Sequence, residues 1–186
     1  MYGRHRNGLG IDPATGTGTV IGSDKKEYEI GPRADLYGAK LVGANLAGAN
    51  LEGAQLAWAD LERANLSKAN LAGAILSRAD LKEAKLTEAN LTGANLNGAH
   101  LLDADLTRAD LTGAKLEYAW LKGASPWNAD LTRANLEGAW VDLEDLEWRS
   151  PGINLTGAIM PHGRIYSGRA PNPGQGTRRG PGGYKY

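Results

Sequence analysis

Alanine recurs at every fifth position of this chain from Ala34 to Ala139 without an exception. The residue two places after each alanine is leucine in 20 of 22 cases, and only Pro126 and Val141 interrupt that second series. A helix turns about 100° per residue, so leucines five residues apart would be scattered around its surface. In a flat strand, side chains alternate, so an odd spacing sends successive leucines to opposite faces. The pattern therefore excludes both regular structures and requires a bend in every pentad.

Each pentad is interpreted as a short strand, with its alanine and leucine pointing inward, followed by a turn. If the leucine opens a four-residue β-turn, the fifth pentad residue is its third member, where a type II turn needs positive φ and favours glycine. Ten of these fifth positions hold glycine: Gly38, Gly43, Gly48, Gly53, Gly73, Gly93, Gly98, Gly113, Gly123 and Gly138. Most of the others hold Arg, Lys, Glu, Asp or Asn, and we expect another turn type at those corners.

The number of pentads in one coil can be tested within the sequence. Four corners of about 90° would close a square coil of 20 residues, because each turn changes the chain direction once. Two sets of residues recur at that interval: Gly53, Gly73, Gly93 and Gly113, and Asn50, Asn70, Asn90, Asp110 and Asp130. The sequence therefore predicts an all-β fold, a square parallel β-solenoid in which each repeat stacks on its neighbours.

The repeated run A-[DN]-L-x-x, as in residues 44–48 and 109–113, resembles the pentapeptide-repeat family over residues 34–143. The resemblance implies a right-handed quadrilateral parallel β-helix. With two further pentads after an irregular stretch, we expect about six coils. Known members of the family include proteins that resemble DNA and shield bacterial topoisomerases, alongside many with no assigned activity.

Three segments are expected. Residues 1–33 form an N-terminal extension with a capping hairpin, whose strands we place at Thr17–Ile21 and Glu27–Ile30. Residues 34–162 form the β-helix, irregular at 144–152, and residues 163–186 form an arm rich in Gly, Pro and Arg.

Charge and composition narrow the class of protein. The chain has no cysteine, no apolar run long enough to span a membrane, and no apolar stretch of the kind that marks a signal peptide near its first residue. We therefore expect a protein of the cytoplasm or of a virion, without a membrane partner. The net charge is −6 over residues 34–159 and +5 over residues 160–186, so a basic arm follows a mildly acidic column.

Catalytic groups are scarce. His5 and His162 lie near the two ends, whereas His100 occupies an outward second position of the repeats. Asp80 and Asp60 should lie one and two coils away on the same side, either as a weak acid–base pair or as part of a solvated polar ladder. The ladder is favoured because no nucleophile or pocket accompanies these residues. We expect no enzyme, no cofactor and no metal site.

Aromatic residues are the stronger functional candidates. They concentrate toward the C-terminal end of the repeats: Tyr118, Trp120, Trp127, Trp140 and Trp148. Because Trp120 and Trp140 are 20 residues apart, they should stack on adjacent coils. Two interpretations remain open: the patch binds a partner or a second copy of the chain, or the chain's own C-terminal segment covers it with Ile153, Met160, Ile165 and Tyr166.

The favoured function is a non-enzymatic structural or protein–protein interaction scaffold, a subunit of a larger assembly such as a viral particle. The alternative, which rests on the family resemblance, is a DNA-mimicking protein that binds a topoisomerase such as gyrase. A mimic needs a strongly acidic face, whereas lysine and arginine are interspersed here. We also expect weak, nonspecific binding of nucleic acid by Arg178 and Arg179 of the arm.

Overall fold

The computed structural model describes residues 10–141 and 152–166 of the 186-residue chain. Within these ranges the structure is all-β, with strands, isolated bridges and turns and no helix. Three strands precede the repeats: β1 (Gly10–Ile11), β2 (Gly18–Ile21) and β3 (Glu27–Ile30). They form one antiparallel sheet in the order β1-β2-β3.

From residue 34 onward, each pentad contributes one bridging residue and one two-residue turn. Parallel bridges join second-position residues that are 20 positions apart, so one coil takes four pentads, as the recurring glycines predict. We name the four sides by their bridging residues: side 1 (Asp35, Gln55, Ile75, Asn95, Lys115, Asn135), side 2 (Lys40, Asp60, Asp80, His100, Trp120, Trp140), side 3 (Asn45, Asn65, Lys85, Asp105, Ser125) and side 4 (Asn50, Asn70, Asn90, Asp110, Asp130). Each corner is named by the two sides that it joins.

Aliphatic side chains fill the interior of the column. Every first-position alanine and third-position leucine from Leu46 to Ala119 is at most 2% exposed. In the described residues, the fully buried positions carry no ionisable side chain. Burial of one leucine contributes about 1.5 to 3 kcal/mol before the loss of chain entropy, so the stabilisation is spread evenly along the column.

The corners differ from one expectation. Residues with side chains at the fifth position, such as Arg63, have φ of 55–61°, close to the 62–74° of the glycines in the repeats. The prediction of a different turn type at these corners is therefore wrong. The Ala64 N–H closes the turn on the Leu61 carbonyl at 2.9 Å, and the Arg63 N–H donates to the Lys82 carbonyl of the next coil at 2.8 Å. Because these bonds recur at every coil, they hold the corner in one geometry whatever residue occupies it.

The 20-residue register changes once, beyond residue 141. Asn154 pairs with Asp130, and Ile159 pairs with Asn135, so these two bridges span 24 residues instead of 20. The described pentads from 152 onward thus continue sides 4 and 1 of the column. Pro126, on corner 3–4, has no N–H group, so it cannot make the donor contact that leucine makes elsewhere in the column.

The antiparallel sheet lies against the first coil. The Asn50 N–H donates to the carbonyl of Gly16 at 2.7 Å, and the Lys40 N–H donates to the hydroxyl of Tyr28 at 3.2 Å. In later coils the equivalent N–H groups donate to the coil before, which the first coil lacks. Val20 and Ile30 are buried against the interior. The sheet thus supplies acceptors and apolar cover at this end of the column.

Candidate interaction surface

Side 2 changes from polar to aromatic along the column. Asp60, Asp80, His100, Trp120 and Trp140 follow one another at successive coils. The rings of Trp120 and Trp140 are stacked, with 5.1 Å between centroids and an interplanar angle of 3°. The His100 ring lies 5.3 Å from that of Trp120 at 42°. The two tryptophans stack on adjacent coils as their spacing predicts, and they remain 40% and 47% exposed.

Tyr118 extends this patch across corner 1–2. It is 67% exposed, and its ring lies over Gly138 of the next coil, where an added Cβ would come within 2.6 Å of the ring carbons. A side chain at position 138 would therefore displace the ring, and glycine also adopts the φ of 68° at this corner without strain. We call Tyr118, Trp120 and Trp140 the aromatic surface.

A second aromatic contact on the same corner was not anticipated from the sequence. The guanidinium of Arg78 lies over the Trp58 ring, 5.0 Å from its centroid, and this tryptophan is 51% exposed. The two residues are 20 positions apart, as Trp120 and Trp140 are. This cation–π pair could therefore have been predicted from the same 20-residue period.

The other candidates do not join the aromatic surface. Trp127 is 48% exposed but lies on corner 3–4, diagonally opposite corner 1–2, where its carbonyl accepts from the Arg108 N–H. Trp148, Arg178 and Arg179 lie outside the described residues.

The C-terminal residues considered as a cover lie elsewhere. Met160 is 2% exposed within the column, and Tyr166 and Ile153 are partly buried against the core. Ile165 pairs with Ile159 and is 68% exposed. The described part of this segment therefore leaves the aromatic surface accessible.

The proposed acid–base residues of side 2 form a column and not a pocket. Asp60, Asp80 and His100 bridge at successive coils on the outside. Across residues 10–141 and 152–166, no group of three or more His, Cys, Asp or Glu side chains could hold a metal ion. The arrangement fits the solvated ladder.

Ladders of hydrogen bonds dominate the other sides. On side 4, the amide of Asn90 donates to Asn70 at 3.2 Å, and on side 3, Thr87 donates to the Asp105 carboxylate at 2.8 Å. Burial alone would raise the pKa of Asp105, but hydrogen bonds from Thr107 and Thr87 outweigh it and lower the pKa. These contacts stabilise the stacking of adjacent coils.

Opposite charges alternate along corners 2–3 and 3–4. Arg63 makes a two-point contact with Glu83 one coil on, with nitrogen–oxygen distances of 2.8 and 3.2 Å. That hydrogen bond lowers the pKa of the Glu83 carboxyl. On the next corner, Glu88 lies between Lys68 at 3.7 Å and Arg108 at 3.6 Å. Basic residues therefore interrupt the acidic residues of these two corners.

The stacked coils, the aliphatic interior and the ladders define a parallel β-solenoid repeat protein. The profile described as "Pentapeptide repeats" matches the chain with eight copies, at residues 33–67, 64–101, 84–117 and 109–142. Together these matches span more than half of the 186 residues, so the chain belongs to the pentapeptide-repeat family. Members of this family form right-handed quadrilateral β-helices.

Solved structures of the family resemble the chain. HetL, a pentapeptide repeat protein involved in heterocyst differentiation regulation in the cyanobacterium Nostoc sp. strain PCC 7120, is 38% identical, over 73% of this chain and 65% of HetL, with a TM-score of 0.47. This chain thus matches just under two thirds of HetL. A protein from the Arabidopsis thaliana thylakoid lumen is 37% identical, over 56% of this chain and 70% of that protein, with a TM-score of 0.47.

A more distant neighbour is QnrB1, a plasmid-mediated fluoroquinolone resistance protein. It is 20% identical, over 62% of this chain and 78% of QnrB1, with a TM-score of 0.37. A comparison with curated proteins gives no match. In the described residues, no helix has the length and apolar character needed to cross a membrane.

Proposed function

We propose that this protein is a non-enzymatic scaffold that binds a protein partner through the aromatic surface, as a subunit of a larger assembly. The observation that carries the proposal is the pair of stacked, exposed tryptophans on side 2, Trp120 and Trp140. Tryptophan and tyrosine are enriched among the residues that contribute most to protein–protein binding. Stacking fixes both rings before a partner arrives, so little side-chain entropy remains to be lost on binding.

The interior supports a scaffold and not a catalyst. Alanine and leucine fill the column, and a catalytic site needs a concave pocket with polar groups that converge in it. An extended column of about six coils would present its sides and ends as flat surfaces. Association with further copies of the chain, within a virion or another particle, is part of the same proposal. Nucleic-acid binding by Arg178 and Arg179 would be a weaker, salt-sensitive addition.

The DNA-mimicking alternative has less support. A mimic of duplex DNA needs an unbroken acidic stripe, because phosphates carry one negative charge per about 1.7 Å of helix axis. On corner 2–3 the charge changes sign between Arg63 and Glu83, and on corner 3–4 it changes sign from Lys68 to Glu88 to Arg108. A gyrase supercoiling assay with added protein tests this alternative, and inhibition or drug protection at stoichiometric protein would revive it.

Co-purification from the native source tests the scaffold proposal. The bait is the full chain, and the two variants are the double substitution Trp120→Ala with Trp140→Ala and the single substitution Trp127→Ala. We expect partner proteins with the wild type and with the Trp127 variant, and their loss with the double variant. A matching thermal unfolding curve for the three proteins shows that the loss is not caused by unfolding. If the double variant retains every partner, the aromatic surface is not the binding site.

A further inference from the structure

The aromatic surface has an acidic surround. Glu117 and Glu137 precede Tyr118 and Gly138 on corner 1–2, and Asp103 lies on corner 2–3 beside side 2. Over these three coils of the described chain, Lys122 is the one lysine or arginine on side 2 or its two corners, and Arg164 follows Gly163, which lies beside Glu137 at the end of the column. A segment that binds here should therefore be basic.

One of these carboxylates has an unused acceptor. Glu117 Oε1 accepts a hydrogen bond from the Asn135 amide at 3.0 Å. Its other oxygen, Oε2, is buried without a hydrogen-bond partner in the described part of the chain. A buried carboxylate oxygen without a donor is costly, so a cationic group beside the Glu117 carboxylate would be stabilising.

The chain already makes the type of contact that such a segment would use. Arg78 stacks on Trp58 on the same corner, two coils from Tyr118. Arginine and proline both bind well on aromatic side chains, arginine through its planar cation and proline through its rigid extended backbone.

Residues 167–186 match these requirements in sequence. They contain Arg169, Arg178, Arg179 and Lys185, and no Asp or Glu, for a net charge of +4. They also contain three prolines and two tyrosines. Because the column is acidic and this segment is basic, the two attract each other electrostatically.

The last described residues of the chain lie beside the aromatic surface. The Tyr166 N–H donates to the Ala158 carbonyl at 2.7 Å, which places the last described residue on side 1 at the end of the column nearest Trp140. The Gly138 N–H donates to the Pro161 carbonyl at 2.9 Å, so corner 1–2 lies directly beside this exit. Twenty residues span up to about 65–70 Å when extended, many times the separation of adjacent coils.

We propose that residues 167–186 of the same chain dock across the aromatic surface, with an arginine on the exposed rings and basic groups beside Glu117 and Glu137. The inference rests on the proposed function in one respect: a partner that uses the same surface would have to displace this segment. The chain would thus carry its own competitor. Docking within one chain is favoured over docking between chains because a short connection gives a high effective concentration.

Paramagnetic NMR of the full chain tests the proposal. The chain has no cysteine, so Gly180→Cys provides a single site for a nitroxide label. The indole Nε1–H signals of the tryptophans, assigned with single Trp→Tyr variants, report which rings the label approaches. We expect the Trp120 and Trp140 signals to lose most of their intensity and the Trp127 signal to be retained, because Trp127 lies on the opposite corner.

Two controls separate docking from chance proximity. The substitutions Arg178→Glu and Arg179→Glu, made together, should restore the Trp120 and Trp140 signals, as should salt near 1 M, where the screening length falls to about 3 Å. Equal signal loss at all indoles, or no loss at Trp120 and Trp140, would overturn the proposal.

Mixing experiments identify the origin of the segment. The spin-labelled Gly180→Cys chain, which carries no 15N, is mixed with the wild-type chain, which has no cysteine and therefore no spin label but does carry 15N. Docking within one chain predicts no signal loss in the mixture, whereas loss in the mixture would assign the contact to a second copy and overturn the proposal. Failure here is distinguishable from failure of the proposed function, because partners would still be captured through Trp120 and Trp140 in the co-purification.

Discussion

Two lysines on neighbouring coils test the corner geometry most sharply. Lys68 is a fifth-position residue with φ of 59°, whereas Lys82 is a fourth-position residue outside the left-handed region. The Lys68 side chain is 72% exposed and the Lys82 side chain is 43% exposed, and each makes one ion pair at 3.7 Å, to Glu88 and Glu83 respectively. The substitutions Lys68→Gly and Lys82→Gly therefore each remove a lysine side chain and one ion pair from a corner of the column.

The expected difference follows from backbone conformation. Glycine costs about 0.5–1 kcal/mol of chain entropy at either position. At Lys68 it also relieves the cost of the left-handed conformation, about 1–2 kcal/mol for a residue with a Cβ. Exposed ion pairs contribute about 0–1 kcal/mol and are screened by salt. Lys68→Gly should be neutral or stabilising, Lys82→Gly should be destabilising, and the two should differ by about 1–2 kcal/mol.

The measurement is the free energy of unfolding in urea. Unfolding is monitored by circular dichroism at moderate salt. The slope of the free energy of unfolding against urea concentration must be the same for all variants. A changed slope would show that unfolding is no longer cooperative, which can happen in solenoids. A difference of this size corresponds to about 2–8 °C in the melting temperature of a domain of this length. If Lys68→Gly destabilises the protein as much as Lys82→Gly, the left-handed conformation at these corners carries no cost and our explanation of the glycine pattern is wrong.

Three other predictions follow from the described contacts. Leu76→Ala, in the middle of the filled interior, should lower the free energy of unfolding by about 2–5 kcal/mol in the same assay, and Leu76→Met by less than about 1.5 kcal/mol; a loss for Leu76→Ala as small as that for Leu76→Met would mean that the interior is loosely packed. Gly138→Ala should cost more than Gly93→Ala, because both have positive φ but only Gly138 lies beneath an aromatic ring; equal costs would contradict that contact. Thr87→Val should raise the pKa of the Asp105 carboxyl toward its ordinary value in an NMR titration, because the substitution removes a hydrogen bond that lowers it. The stability from this lowered pKa is present above the ordinary value near 3.9 and is lost as pH falls through the folded value; an unchanged titration would exclude the contact.

The repeats could be predicted from the sequence because local and long-range signals coincide. Alanine and leucine fix which residues point inward, and the recurrence of Gly53 and Gly73 fixes the coil at 20 residues. The same period gives the register, so the stacking of Trp120 on Trp140 follows from position alone.

Features that depend on tertiary contacts could not be read in this way. Propensity favours glycine at positive φ, but the hydrogen bonds between coils impose the same conformation on Arg63 and its equivalents. The four added residues between the last bridges have no periodic signal, since the repeat is absent there. The sequence predicts that Trp127 is exposed, as the structure shows. That Trp127 and Tyr118 lie on opposite corners follows only when each residue is assigned to its corner of the 20-residue coil.

The central claim is that one side of an aliphatic column binds a protein through its stacked tryptophans. The most direct measurement is the dissociation constant of the co-purified partner, by titration calorimetry, for the wild type, Trp120→Ala and Trp127→Ala. Loss of about 2 kcal/mol or more at a dominant contact residue corresponds to roughly 30-fold weaker binding. We predict that loss for Trp120→Ala and binding within about threefold of wild type for Trp127→Ala, a difference of less than 0.7 kcal/mol. Equal affinities for all three proteins would contradict the claim.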